Sequence, residues 1–329
     1  MFCKSVSRKR TGLMAAVLTT CLTAGASFSV SAVESIHFLI PGGAGGGWDS
    51  TARGTGEALS KAGLVSTISY ENMSGGGGGK AIAHLIETAN QKQDTLMVNS
   101  TPIVIRSLSK VFPQSFRDLT PIAATIGDFG AFVVKKDSKY TSFEQVAADF
   151  KADPRAIKIA GGSSRGGMDH LVAAMAFKAA GGDARKVRYV AYDAGGKAMA
   201  GLLSGETQLL STGFSEALTL AEAGEVRILV MTGEERNEAA PDVPTLKELG
   251  YDATFVNWRG FFAAPGVSDS QKAEFVSTLE KMYQTDEWET VRSRNGWVEI
   301  FKPDAQFISF LDQQEKEVGD LMRELGFLK

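Results

Sequence analysis

Short apolar runs alternate with amphipathic stretches along most of the chain. Runs at 36–40, 65–71, 95–99, 157–160 and 226–231 have the length and apolar character of buried strands. Most of the earlier runs are followed by a loop rich in small residues and then by apolar residues at helical spacing. This order of strand, loop and helix is typical of an α/β fold with mostly parallel strands.

The remaining elements are predicted from the same periodicity. Two apolar runs, at 122–126 and 131–134, flank Gly127 and Gly130 and predict two further strands. Weaker strand signals lie at 187–191 and 208–211. The first helix is predicted to run from Asp49, as its N-cap, to about Ala62. Further helices are predicted through 81–86, over 168–180, after the loop at 192–196 to about Leu203, and over 268–283 and 304–325. Gly326 is predicted to be the left-handed C-terminal cap of the last helix.

The first 32 residues have the pattern of an export signal. A basic start, with Lys4 and Arg8 to Arg10, precedes an uncharged stretch that ends in Val30-Ser31-Ala32, a small-x-Ala cleavage site. We therefore expect residues 1–32 to be a signal peptide that is cleaved after Ala32. The alternative is an uncleaved membrane anchor, which the many Ser, Thr and Gly residues of the stretch disfavour.

Composition excludes several classes of function. The chain has 329 residues, of which 35 are basic and 38 acidic, so no basic excess favours nucleic acid as a partner. Removal of the signal takes four basic and no acidic residues, which changes the formal net charge from −3 to −7. The predicted signal also contains both cysteines, Cys3 and Cys21, so the mature chain would have none. With no thiol and only three scattered histidines, we expect neither a disulfide nor a metal site.

Three glycine-rich loops each lie between a predicted strand and the start of a helix, at 41–49, 74–80 and 161–169. Glycine allows consecutive backbone N–H groups to point to one place and lets an anion approach closely. The helix start adds partial positive charge. Any one of these loops could be a simple turn, but three at the same strand end predict an anion-binding crevice.

The loops do not match the known nucleotide motifs. A P-loop would require glycine at Ser74 and Ser or Thr at Ala81, and the dinucleotide fingerprint would require glycine at Trp48. We therefore expect no nucleotide cofactor, and no cofactor of any other kind is indicated.

One motif favours an enzyme instead. Gly162-Ser163-Ser164-Arg165-Gly166 matches the nucleophile elbow of serine hydrolases. The only histidine downstream is His170, on the helix that follows, where it cannot easily reach Ser164 together with an orienting acid. A secreted serine esterase is therefore the alternative function, and the weaker one.

Taken in order, the loops are similar to those of the extracytoplasmic solute receptors of tripartite tricarboxylate transporters, the Bug-type receptors. The similarity covers essentially the whole mature chain. It rests on the segments 41–49, 75–79, 161–170, 192–196, 201–206, 240–251 and 257–260. Gly-Gly-Gly-Trp-Asp in the first loop resembles the tricarboxylate branch of this family. In the third loop, Arg165 and Asp169 depart from the sequence pattern that is more common in the family.

The resemblance implies a periplasmic-binding-protein-like Venus-flytrap fold, with two α/β domains joined by two crossover strands. Domain 1 would comprise 33–129 plus 232–329, and domain 2 would comprise 130–231. The crossovers would lie at 127–130 and 232–233.

The resemblance also implies the function and the site. The protein would be a periplasmic, monomeric receptor that binds a small polycarboxylate and does not convert it chemically. A citrate-like tricarboxylate is the first candidate for this ligand. It would deliver this ligand to the large and small integral membrane subunits of a tripartite transporter. The residues expected to bind the ligand are Gly43, Ala44, Gly45, Gly46, Trp48, Asp49, Thr101, Ser163, Ser164, Gly166, Tyr192, Asp193 and Gly195.

Overall fold

The structure, a computed structural model, describes residues 1–3 and 33–329. Nearly all of the predicted signal peptide therefore lies outside the described residues. Ten strands form one sheet. In chain order they are Ser35–Ile40 (β1), Thr67–Asn72 (β2), Thr95–Ser100 (β3), Thr120–Lys135 (β4), Lys158–Gly161 (β5), Arg188–Ala191 (β6), Leu209–Gly213 (β7), Val226–Met231 (β8), Val256–Ala263 (β9) and Val298–Pro303 (β10).

Helices connect most of these strands. They are Gly47–Lys61 (α1), Gly79–Glu87 (α2), Thr101–Leu108 (α3), Phe143–Ala152 (α4), Met168–Ala179 (α5), Gly195–Leu203 (α6), Phe214–Glu222 (α7), Asp269–Tyr283 (α8), Asp286–Arg294 (α9) and Asp304–Glu324 (α10). The cap predicted after the last helix is confirmed, since Gly326 has a φ of +78°. Among the described residues, no helix combines the length and the apolar character that a membrane crossing requires.

The sheet is mixed, so the expectation of mostly parallel strands is only partly correct. Its order is β2-β1-β3-β9-β4-β7-β5-β6, with β8 and β10 also paired to β4. Strands β1, β2 and β3 pair in parallel, as do β5, β6 and β7. Every antiparallel pair involves β4 or β9. These two strands join the parallel groups.

The prediction of two separate strands at 122–126 and 131–134 was wrong, because both belong to the single 16-residue strand β4. Gly127 does not interrupt it, since it pairs with Trp258 on one side and Val298 on the other. A Cβ at Gly127 would lie 2.6 Å from Val256 Cγ1, so the glycine is required by close packing. The first part of β4 pairs with β9 and β10, and the last part with β7 and β8.

The carboxyl ends of the two parallel groups point toward the middle of β4 from opposite directions. Ser100 at the end of β3 pairs with Arg259, which pairs with Ile126, and Gly213 at the end of β7 pairs with Gly130. Loops or helix starts follow directly after the carboxyl ends of β1, β3, β5, β6 and β7. In open α/β sheets the carboxyl ends of the strands are the usual place for a ligand. Apolar side chains pack against the strands, for example Phe38 against Phe261 at 5.4 Å between ring centroids and Phe132 against Phe143 at 5.2 Å.

Candidate ligand-binding cavity

A cavity of about 350 Å³ lies where the glycine-rich loops meet. All three loops predicted to form an anion crevice contribute to its wall, and the turn after β6 is a fourth contributor. The remaining wall comes from the end of β3, from α3, from α7 and from β9. Loops that are far apart in the sequence therefore converge on one cavity.

The first loop contributes Gly43, Gly46 and Trp48 to the cavity wall, whereas Ala44 and Gly45 are not part of that wall. The indole Nε1 of Trp48 donates a hydrogen bond of 2.8 Å to Ser100 Oγ. This bond fixes the large ring against the start of α3. Trp48, in the first turn of α1, is thus held in the cavity wall by a partner at the end of β3.

The prediction that Asp49 caps the first helix was wrong. The helix begins two residues earlier, at Gly47, with the extended Gly46 as N-cap. The Asp49 carboxylate instead accepts hydrogen bonds from the Gly45 amide (3.0 Å), Arg53 Nε (2.9 Å) and Asn72 Nδ2 (3.0 Å). It is buried and lies outside the cavity wall. Its three hydrogen bonds connect the first loop to α1 and β2.

The wall from β3 and α3 differs by one residue from the prediction. Thr101 is fully buried and is not in the wall, whereas its neighbours Ser100 and Pro102 are. The chain enters α3 directly at Thr101. The residues of this strand end that line the cavity are therefore the two neighbours of the predicted Thr101.

The third loop brings Ser163 and Ser164 to the cavity, while Gly166, with a φ of +75°, shapes the turn outside it. Asp169, at the start of α5, accepts a hydrogen bond of 2.9 Å from the Ser163 amide. Its own amide donates to Ser163 Oγ at 3.0 Å. Burial, reinforced by the nearby negative charge of Glu216, raises the pKa of the Asp169 carboxyl to about 7. Asp169 lines the cavity as well.

The turn after β6 contributes three of the predicted site residues, Tyr192, Asp193 and Gly195, to the cavity wall. The Tyr192 hydroxyl points into the protein, because a Cβ at Gly201 of α6 would lie 2.3 Å from it. Between Asp193 and Gly195, Ala194 has a φ of +79°, a conformation that costs energy for a residue with a Cβ. The Ala194 amide donates to Gly162 O at 3.1 Å, which ties this turn to the third loop.

Four charged side chains in the wall were not among the predicted site residues. They are Arg106 from α3, Asp169 from α5, Glu216 from α7 and Arg259 from β9. Arg259 had a signal in the sequence, since it lies in the recognised segment 257–260. Arg106 had none, because a single arginine in a short apolar helix resembles an ordinary surface charge.

Glu216 and Arg259 are held by neighbours. Glu216 accepts a hydrogen bond of 2.7 Å from Thr212 Oγ1, and burial raises the pKa of its carboxyl while the charge of Arg259 opposes that rise. Arg259 Nη2 donates to Asp128 Oδ2 at 2.6 Å, and both side chains of this pair are buried. A Cβ at Gly47 would lie 2.2 Å from Arg259 Nη2, so glycine is required there.

The geometry does not support the esterase alternative. His170 Nδ1 accepts a hydrogen bond of 3.0 Å from the Gly166 amide, and the ring stacks on Tyr189 at 4.8 Å between centroids. Burial lowers the pKa of His170 to about 4. In residues 33–329, no hydrogen bond joins Ser164 to His170; the Ser164 hydroxyl accepts instead from Arg106. A nucleophile without its base cannot perform acyl transfer by this mechanism.

Comparisons with known proteins agree with this arrangement. The sequence model of a family described as "Tripartite tricarboxylate transporter family receptor" matches residues 51–327. Protein BugT of Bordetella pertussis is 28% identical over 328 residues, covering 96% of this chain and 98% of BugT.

Two solved structures show the same fold. The periplasmic binding protein BugD superposes with a TM-score of 0.79 at 20% identity, covering 89% of this chain and 98% of BugD. MatC from Rhodopseudomonas palustris with bound malate superposes with a TM-score of 0.77 at 20% identity, covering 88% of this chain and 99% of MatC. The predicted α/β, periplasmic-binding-protein-like fold class is confirmed.

Proposed function

Because the chain belongs to the receptor family of tripartite tricarboxylate transporters, whose members are solute-binding receptors and not enzymes, we propose that it captures a small organic polycarboxylate in the cavity. The observation that carries this proposal is the convergence of three glycine-rich loops, each at the carboxyl end of a strand, on one cavity. Such loops present backbone N–H groups to an anion. The malate held by MatC, a protein of the same fold, supports a carboxylate as ligand.

The finer proposal is a citrate-like tricarboxylate as the ligand. It rests on the resemblance of the first loop to the tricarboxylate branch and on an estimate of the donors that such a ligand needs. Micromolar affinity requires about −8.2 kcal/mol. Hydrogen bonds to a charged group contribute roughly 1.5–3 kcal/mol each, so about four to six suffice after the cost of ordering the loops. Binding by local donors should depend only weakly on salt.

The mechanism is closure of two domains around the ligand. Domain 1, comprising 33–129 and 232–329, would supply the first two loops and α3, and domain 2, comprising 130–231, would supply the loops after β5 and β6. A ligand that receives hydrogen bonds from both sides stabilises the closed state. The closed receptor would be the form that docks, as a monomer in the periplasm, on the large and small membrane subunits of its transporter.

Calorimetry on the purified mature protein, residues 33–329, tests this function. Citrate, malate, adipate and benzoate are titrated separately, and a di- or tricarboxylate is expected to bind with micromolar affinity while benzoate does not. Small-angle scattering with and without the bound acid then tests closure, for which a smaller radius of gyration is expected. No binding of any organic acid would contradict the proposed function, and binding without compaction would contradict the closure mechanism.

A further inference from the structure

Arg106 is a buried cation whose charge no carboxylate compensates within the described ranges 1–3 and 33–329. Its side chain is among the buried charged groups, and no ion pair includes it. Burial lowers its pKa, and an arginine stays charged even so. A buried charge is normally paired, because the cost of removing it from water is large. An unpaired charge in the wall of a cavity indicates that the partner is the ligand.

The guanidinium still has donors available. Its hydrogen bonds in the described part of the chain both use Nη2, one to Ser164 O at 3.3 Å and one to Ser164 Oγ. The N–H groups of Nε and Nη1 have no acceptor in this region of the protein. A planar guanidinium presents its donors as a fork that fits the two oxygens of a carboxylate.

Two glycines make room for this side chain. A Cβ at Gly77 would lie 2.9 Å from Arg106 Nε, and a Cβ at Gly167 would lie 2.6 Å from Arg106 Nη2. Both distances are too short for a real side-chain carbon. Two of the glycine-rich loops therefore enclose the guanidinium in addition to presenting their own amides. This is a built site and not a surface charge that happens to lie near a cavity.

The other arginine in the wall differs in this respect. Arg259 is neutralised by Asp128, so its net contribution to the field in the cavity is small. Of the three carboxyl groups in the wall, Asp169 and Glu216 have raised pKa values, and Asp193 forms an ion pair with Lys197 at 3.2 Å. A raised pKa means that the protein environment disfavours the charged form of both Asp169 and Glu216 relative to water. Arg106 is thus the strongest source of uncompensated positive charge in the wall.

We infer that Arg106 is the specificity-determining residue of this receptor: it binds a second carboxylate of the ligand and selects dianions and trianions over monocarboxylates. The inference rests on the proposed function, in which backbone amides hold the first carboxylate. Loss of the charge should then weaken the binding of dianions and leave the binding of monoanions unchanged.

The test compares adipate with hexanoate, which has the same chain length and one carboxylate fewer. Calorimetry with the unmodified protein and with Arg106→Gln is expected to show a roughly 10- to 100-fold loss of adipate affinity, the size of one charge-assisted interaction. Hexanoate affinity, obtained directly or as a lower limit on its Kd, should change less than about threefold. Arg106→Lys should recover part of the adipate affinity, because it restores the charge without the fork.

Arg294→Gln is the control, because it removes one positive charge from an exposed ion pair with Glu57, far from the cavity wall. It should bind adipate like the unmodified protein, and circular dichroism should confirm that every variant is folded. Equal losses for adipate and hexanoate, or unchanged adipate binding in Arg106→Gln, would overturn the inference. Failure of the unmodified protein to bind any polycarboxylate would instead count against the proposed function, so the two failures are distinguishable.

Discussion

The side chains of Asp128 and Arg259 form a fully buried ion pair, with 2.6 Å between Oδ2 and Nη2. Asp128 lies in the middle of β4 and Arg259 in β9. The same carboxylate accepts hydrogen bonds from the Ser215 amide (3.1 Å) and the Ser215 hydroxyl (2.7 Å) at the start of α7. One carboxylate therefore connects two central strands and a helix beside the cavity.

We expect Asp128→Asn to lower the free energy of unfolding by about 3 kcal/mol, because it leaves the Arg259 charge buried without a counter-charge. Urea unfolding followed by circular dichroism measures this loss. Arg294→Gln serves as the matched control, since it breaks an exposed pair with Glu57 and should cost less than about 1 kcal/mol. Similar losses in the two variants would show that the buried pair has no special role.

The first loop gives a second prediction. The backbone of Gly46 has a φ of −91°, which any residue can adopt, but a Cβ there would lie 3.3 Å from Ala194 Cβ on the opposite loop. Gly46→Val adds two more carbons in this gap. We expect polycarboxylate affinity to fall at least about tenfold while the melting temperature stays nearly unchanged, because the clash affects the closed cavity and not the core.

Gly196→Ala is the control for this variant. Gly196 lies in α6 just behind the opposite loop, and a Cβ there would meet only Gly45 O at an ordinary 3.8 Å. Calorimetry should therefore find unchanged affinity for the alanine variant, whose helix should be slightly more stable. Retained affinity in Gly46→Val would mean that the first loop does not surround the ligand.

The main features of the fold could be predicted from local sequence, because they depend on local rules. Glycine-rich loops after apolar strands indicated where the cavity lies. Long-range pairing could not be predicted: β4 is continuous only because its neighbours pair across Gly127. The strand β9 was missed since it contains Arg259, whose charge is compensated by a residue 131 positions away.

The same limit explains the errors in the site. Asp49 has the position expected for a helix cap, but Gly46 takes that role through its backbone, and the carboxylate bonds to the Gly45 amide instead. Arg106 contacts Ser164, 58 positions further along the chain. Only the folded chain brings such pairs together, so their chemistry is not visible in either segment alone.

The third prediction concerns the buried carboxyl of Asp169. Its pKa in the folded protein is raised from 3.8 to about 7, so the folded state holds a proton that the unfolded state releases. The stabilisation linked to this proton is fully present below about pH 4 and is lost as the pH rises to about 7, with a slope of at most about 1.4 kcal/mol per pH unit. The protein should therefore lose stability through this group between pH 5 and pH 7.

Asp169→Asn keeps the shape of the side chain and removes this titration. Urea unfolding at pH 5, 6, 7 and 8 should show that the difference in unfolding free energy between the unmodified protein and the variant falls from pH 5 to pH 7 and then levels off. Below pH 6.5 the neighbouring His170, whose pKa is lowered to about 4, has the opposite effect, because the folded state must keep it neutral. The subtraction cancels that contribution, since both proteins contain His170. A difference that stays constant from pH 5 to pH 8 would show that Asp169 is ionised in the folded protein over the whole range, and that the bonds from Ser163 outweigh the cost of its burial.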